Sequence, residues 1–358
     1  TLPDDMSGKI LSYIEKGSLP DPKYLLKGFV VGSIFTVVRL VLNEALFKPI
    51  SYRALGEKKL SKPKPILLLD KIFNPARRPQ DKKLNKTLEV IEMTKKEANE
   101  YFRLKKGIIA QDKKIWKFCE ALWRALLYTA MVGFGSHCTI GQPWFSNPWS
   151  DAWVGWPHQT QPYQIYQYYE MSMGLYLHLL MFQAFDTKRS DFWQQFVHHI
   201  VTLFLITLSW ISNFVRLGSL VLLVHDISDV PLEVAKVINY MKHNPKHARW
   251  ASPGADIVFG LFAVIFIVSR LGIYPYFILY NTLFVAKRAV EYHIDLPHPP
   301  IYFIMNAMLL VLQALHIFWS YLILKMVYKV LILKKLEDIR SDDEDEWDED
   351  TRDDKKDK

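Results

Sequence analysis

Two stretches of this sequence set imidazoles and carboxylates among apolar residues. FVHHIVTLFLITLSW carries His198 and His199 side by side, and LVLLVHDISDVPLEVAKVINY carries His225, Asp226, Asp229 and Glu233. If the second stretch is a helix with His225 at the origin of its wheel, Asp229, Glu233 and Asp226 fall at about 40°, 80° and 100°. Four ionisable groups then share one arc, while Leu222, Leu223 and Val224 point elsewhere. Adjacent helical residues diverge by about 100°. His198 and His199 are therefore expected on different walls, one facing a cavity and the other bracing the helix.

Such a set suits two chemistries. Imidazole and carboxylate ligate zinc or non-haem iron. Membrane di-iron enzymes, however, resemble one another in dense histidine boxes, and none of the 11 histidines here falls in such a box. The alternative is acid–base or nucleophilic work. A histidine accepts a proton or an acyl group, and a carboxylate on its other nitrogen fixes its orientation. Glu233 also fits a helix end reaching water. His178 and His316, each single and flanked by apolar residues, read as packing residues that find a hydrogen bond.

The elements that must position these groups are apolar runs. Mean hydropathy is only +0.01, but that average hides a partition. Residues 51–117 hold 19 Lys/Arg against 8 Asp/Glu, and residues 336–358 hold 5 against 13. Between them lie stretches of helix length, and a bilayer demands about 20 apolar residues per span. The expected spans are 28–47, 118–140, 165–185, 193–215, 217–239, 255–284 and 301–333, with the first weakened by Arg39 and Glu44. It begins near Gly28 and reads as a span, not a cleaved leader. Tryptophan and tyrosine crowd the span ends, as at interfaces. A charge at the bilayer centre costs at least ~2.5–3.5 kcal/mol, so ionisable groups in the fourth and fifth spans need a reason. The basic block at 51–117 assigns that side to the cytoplasm, the N-terminus to the lumen and the acidic tail to the cytoplasm. Lys287 and Arg288 then fall on the lumenal side, against the trend. Cys119 and Cys138 on one helix lie about 28 Å apart and form no disulfide.

The stretch from Asp186 to Tyr240 contains TKRSDF, FVHHIVTLFLITLSW, NFVRLGSL and HDISDVPLEVAKVINY, with KFCEALWR at 117–124, LQALHIFWSYLILKM at 312–326 and EDIRSDDEDE at 337–346. Together, over about residues 90–346, these resemble the ceramide synthases of the TLC membrane family. The resemblance implies an all-α integral membrane protein: a six-helix TLC barrel-like bundle over 118–335, preceded by one N-terminal transmembrane helix within 1–50. It implies transfer of a fatty acyl group from acyl-CoA, as co-substrate, to the amine of a sphingoid base in the endoplasmic reticulum membrane. No cofactor and no metal are implied, and a homo- or hetero-dimer is open. The catalytic residues carry over onto His198, His199, His225, Asp226 and Asp229. His198 is the expected nucleophile of an acyl-histidine path, and direct attack with histidine as general base is the alternative. Glu233 lies on the substrate side. Lys188 and Arg189, and the loop around Lys242–Arg249, are anchors of the cytoplasmic side and candidate contacts for CoA phosphates. Pro231 stands where the family usually has an aliphatic residue. The lumenal loop at about Ala286–Pro300 is the family's element for acyl-chain choice.

The flanks read differently. Residues 51–117 include a truncated homeodomain-like region, but Leu104 in YFRLKK breaks the base-reading pattern. A membrane-surface or packing role is expected there, not nucleic-acid binding. The acidic tail at 336–358 cannot bury a core, and Ser341, followed by acids, resembles a regulatory phosphosite. Asn85 opens a glycosylation sequon that the assigned topology leaves in the cytoplasm. Two rival classes remain open at this point: a non-catalytic lipid-binding or sensing TLC protein, and a metal-dependent lipid hydroxylase.

Overall fold

The computed structural model describes residues 20–75, 79–286 and 298–333, and among these no strand occurs. The acidic tail with Ser341, and most of the loop expected to govern chain choice, lie outside the described residues. Each expected span falls on a helix to within a residue or two, except the fourth, 193–215, which runs past its helix end at Ile211 into the turn before the fifth. We number them α1 (Pro22–Leu55), α2 (Leu67–Ile72), α3 (Asp81–Ile91), α4 (Lys95–Thr139), α5 (Tyr163–Gln183), α6 (Phe192–Ile211), α7 (Val215–Met241), α8 (Ala248–Val285) and α9 (His298–Leu333). α1, α6, α8 and α9 are long and apolar enough to cross a membrane by length and composition. α4, α5 and α7 are helical at the expected places but more polar, because they carry the ionisable groups described below. Large apolar side chains such as Phe29, Val37, Leu261, Val264 and Phe303 point outward, which suits lipid and not water.

α1 packs along α5 at very short range. A Cβ at Gly174 would sit 2.5 Å from Val31 Cγ1 and 2.9 Å from the Gly32 nitrogen, so small residues allow the backbones to meet. Gly56 ends α1 in a left-handed conformation (φ 68°). Its neighbour Asn244, between α7 and α8, donates to the carbonyls of Ala54 (3.0 Å) and Arg53 (3.3 Å), satisfying the open end of the helix.

α4 starts at a capping box: Thr94 Oγ1 accepts from the Glu97 backbone nitrogen, and Glu97 accepts from that of Thr94. The helix then runs 45 residues through the composition change at residue 117 without a break. Its first turns join α2 and α3 around a small apolar core of Leu69, Leu84, Leu88, Ala98, Tyr101 and Phe102. Asp70 closes that core's edge, accepting from Tyr101 Oη (2.6 Å) and Lys105 Nζ (2.5 Å).

α7 runs between α4 and α8, with Pro231 buried inside it and the helix continuing to Met241. α6 turns into α7 through Ser212–Asn213–Phe214, where Asn213 takes φ 55° and donates to the carbonyls of Pro157 and Gln159. That contact fixes the aromatic segment 143–162 over one end of the bundle. Arg216 reinforces it through the carbonyl of Asp151 and the Gln161 side chain. The second half of α8 widens into π-helical turns (Val268–Leu279), a form frequent at functional sites.

Candidate active site

Of the arc expected on α7, His225, Asp226 and Glu233 are buried and Asp229 is half-buried, and the two histidine-bearing helices do meet. The rings of His198 and His225 stack at 5.8 Å and 21°. Asp226 is fully buried, and its Oδ1 accepts from Tyr176 Oη on α5 at 3.1 Å. Its Oδ2 has no protein partner. Asp229 faces Arg270 Nη2 at 4.0 Å. Glu233 is buried and paired with Lys236 at 2.6 Å.

The histidines differ in what their nitrogens do. His225 Nδ1 lies 2.6 Å from the Val221 carbonyl, which can only accept, so this nitrogen carries hydrogen. Its Nε2 lies 3.0 Å from Nε2 of His316 on α9. Both nitrogens of His225 are therefore engaged. His199 Nδ1 is held by Gln183 Oε1 at 3.1 Å. His198 Nδ1 is buried without a partner, and the ring is walled by Trp319 at 5.5 Å and 86°.

Two cavities flank this layer. One, of about 970 Å³, is lined by His198, His199, Asp229, Glu233 and the cations Arg124, Arg189, Lys236 and Arg270. The other, of about 680 Å³, is apolar and runs from His225 past Gly218 and Leu205 to Trp153 and Phe214 under the capping segment. Tyr176 lines both. A polar chamber and a greasy one thus abut at the stacked imidazoles.

Several expectations need correction. His198 and His199 do share a chamber, because the cavity lies over the face of α6 between their two directions. His199 also braces, through Gln183. Lys188 is exposed and lines neither cavity, while Arg189 reaches the polar one and bonds Glu120 at 3.2 Å. His316 does more than pack, since it meets His225. His178 does pack: Trp123 Nε1 donates to its Nε2 at 2.9 Å, and its Nδ1 meets Thr36 Oγ1.

Arg270 escaped notice. It is buried on the π-helical part of α8 and donates to the His225 carbonyl (2.6 Å) and Ser228 Oγ (3.1 Å), with Nη1 3.2 Å from His316 Nε2. A lone arginine amid an apolar span was the signal that could have found it. Among the described residues no group of three or more His, Cys, Asp or Glu is placed to hold a metal ion.

Fold and site together define a polytopic α-helical membrane protein with a buried histidine–aspartate layer between two chambers. The TLC domain family model matches residues 117–325. The chain is 33% identical over 349 residues to human ceramide synthase 5, spanning 95% of this chain and 84% of that protein. It is 34% identical over 331 residues to human ceramide synthase 4 (90% and 79%). It is also 33% identical over 243 residues to ceramide synthase hyl-1 of Caenorhabditis elegans (66% and 63%). The chain belongs to the TLC-domain family and, within it, to the ceramide synthases.

Proposed function

We propose that this protein is a ceramide synthase, transferring a fatty acyl group from acyl-CoA to the amine of a sphingoid base. The observation that carries the reading is that the polar chamber, lined by His198, and the apolar one, lined by His225, adjoin at the stack of those two rings, because an acyl thioester is such a hybrid: polar carrier on one side, hydrocarbon on the other. The carrier lies in the cationic chamber and the fatty chain in the apolar one, with the carbonyl at the imidazole layer.

His198 is the nucleophile in this reading, since its ring has an uncommitted nitrogen. The imidazole nitrogen bonds to the carbonyl carbon, the carbon–sulfur bond breaks, and CoA leaves as thiolate. The sphingoid amine then bonds to the same carbon and the carbon–imidazole bond breaks. The amine must shed a proton, and the free Oδ2 of Asp226 receives it; the thiolate takes up a proton. Splitting one hard step into two is what covalent catalysis contributes. His199, His225 and Asp229 orient the layer, and Glu233 with Lys236 borders the carrier's chamber.

The basic segment 51–117 faces the cytoplasm in this reading, as does the polar chamber, and the protein resides in the endoplasmic reticulum membrane. Purified protein given sphinganine and a panel of acyl-CoAs forms dihydroceramide, whereas absence of any N-acylated product overturns the assignment. Intact-mass analysis after incubation with acyl-CoA alone shows one acyl addition, lost in His198→Ala; an unmodified mass supports direct attack instead.

A further inference from the structure

The matched domain begins at residue 117, yet one ionic side chain bound into the chamber's wall comes from before it. Arg39, on α1, is fully buried within an apolar helix. A buried ion pair is seldom a net source of stability, so its persistence there calls for another role.

Arg39 makes a fork onto Asp186: Nη2 to Oδ1 at 2.5 Å and Nη1 to Oδ2 at 3.3 Å. The ring of Phe182 lies 4.0 Å from its guanidinium carbon. Asp186 Oδ2 also accepts from Arg124 Nη2 at 2.8 Å. Arg124 Nη1 meets Glu120 Oε1 at 3.0 Å, and that same oxygen accepts from Arg189 Nη2 at 3.2 Å. The thread runs Arg39, Asp186, Arg124, Glu120, Arg189, alternating in sign and ending with one more cation than anion. Arg39 lines neither large cavity; Arg124 and Arg189 line the polar chamber. Arg124 Nε is buried with no partner. Two guanidiniums are thus clamped along the thread while their chamber-facing surfaces stay available to an anion.

We infer that Arg124 and Arg189 form the phosphate-binding subsite of the polar chamber, and that Arg39 is its positioning residue, acting through Asp186. This rests on the ceramide synthase reading for the identity of the anion, the phosphates of CoA. α1 is then a working part of the site and not only a membrane anchor. Arg39 fixes Asp186, Asp186 fixes Arg124, and a planar fork presented in one orientation grips phosphate better than a mobile one.

The test compares two donors of one fatty acyl group, the CoA thioester and the N-acetylcysteamine thioester, which has no phosphate. Arg124→Gln and Arg39→Gln each lower the ratio of kcat/KM for the CoA donor over the short donor by about tenfold or more, the scale of a lost hydrogen bond to a charged group. Arg39→Lys, which keeps the charge, lowers it less. A purely structural role for Arg39 would depress both donors equally and leave the ratio unchanged, and that result overturns the inference. Should Arg39→Gln fail to accumulate, an unchanged ratio in Arg39→Lys and Arg124→Lys overturns it as well. Binding of CoA itself to the full-length chain, by calorimetry, weakens in the same variants by a similar factor. That readout needs no turnover, so a protein inactive with both donors sinks the ceramide synthase reading while still deciding on the subsite.

Discussion

His198 and His225 stack on each other, yet their nitrogens leave them different work. Nδ1 of His198 has no partner, whereas His225 spends one nitrogen on the Val221 carbonyl and the other on His316. Loss of a group that touches the reacting carbon should therefore exceed loss of one that acts through a neighbour. His198→Ala is expected to cut turnover by at least ~10²–10⁴, the range for a positioned acid, base or nucleophile. His316→Gln, which removes one partner of His225, costs about tenfold to hundredfold. Steady-state N-acylation assays on purified variants rank the two, and the reverse order contradicts these roles. The histidine–aspartate arc was legible because charge in an apolar run must be explained. What stayed hidden was convergence from other helices. His316 and Tyr176 look like ordinary core residues in one dimension, and only packing brings them to His225 and Asp226. Arg270 was legible by the same charge argument that found the arc, applied one span later.

Helix existence was readable from apolar length, but the interfaces between helices were not, because they depend on single small residues. Gly32 and Gly174 let α1 and α5 touch, and a Cβ at Gly32 would lie 3.1 Å from the Gly174 carbonyl. Gly174→Leu pushes α1 away, displaces Arg39 from Asp186 and lowers thermal stability by roughly the 1–3 kcal/mol of an overpacked core. A thermal shift in detergent reports the stability loss. Weaker CoA binding in the same variant ties it to the thread. The α2–α4 core behaves differently, since it sits outside the membrane spans. Hydrogen bonds from Lys105 and then Tyr101 hold the Asp70 carboxyl below the usual carboxylate range, and Lys114 does the same for Glu57. A depressed carboxylate stabilises the fold above its unfolded pKa of about 4 and loses that contribution as pH falls through its folded value. Amides of α2, α3 and the first turns of α4 should thus keep full exchange protection at neutral pH and lose it below about pH 4. Protection that instead weakened as pH rose from 5 to 8 would contradict the sign.

The whole molecule joins a cationic chamber and an apolar one at a layer of imidazoles, and the proposed reading puts the carrier in the first and the fatty chain in the second. The apolar cavity ends at Trp153 and Phe214, under a segment held by Asn213, Arg216 and Asn281, the last donating to the Pro148 carbonyl. Its depth is therefore set by the capping segment and by residues along α5, α6, α7 and α9. The sequence showed an aromatic-rich segment there but not that it closes a cavity, since closure comes from side chains of the α6–α7 turn, α7 and α8. Gly218 lines this cavity where α7 passes close against Tyr169. A Cβ there would run into Tyr169 Oη and come within 3.2 Å of Ser209 Oγ, so the Tyr169 ring must shift, and it borders the cavity. Gly218→Ala should shorten the fatty chain that is used best, and Trp153→Ala, which removes the floor, should lengthen it. One methylene in an apolar pocket is worth about 1–3 kcal/mol of discrimination, so changes of one or two carbons are readable as large ratios of kcat/KM. An acyl-CoA panel with one fixed sphingoid base measures both, and a panel of sphingoid bases with one fixed acyl-CoA is the counterpart. If each variant loses activity at every chain length alike, the fatty chain lies elsewhere. If instead the optimum moves only for the sphingoid base, the two hydrocarbon chains exchange places in this picture while the imidazole layer between the chambers keeps its role.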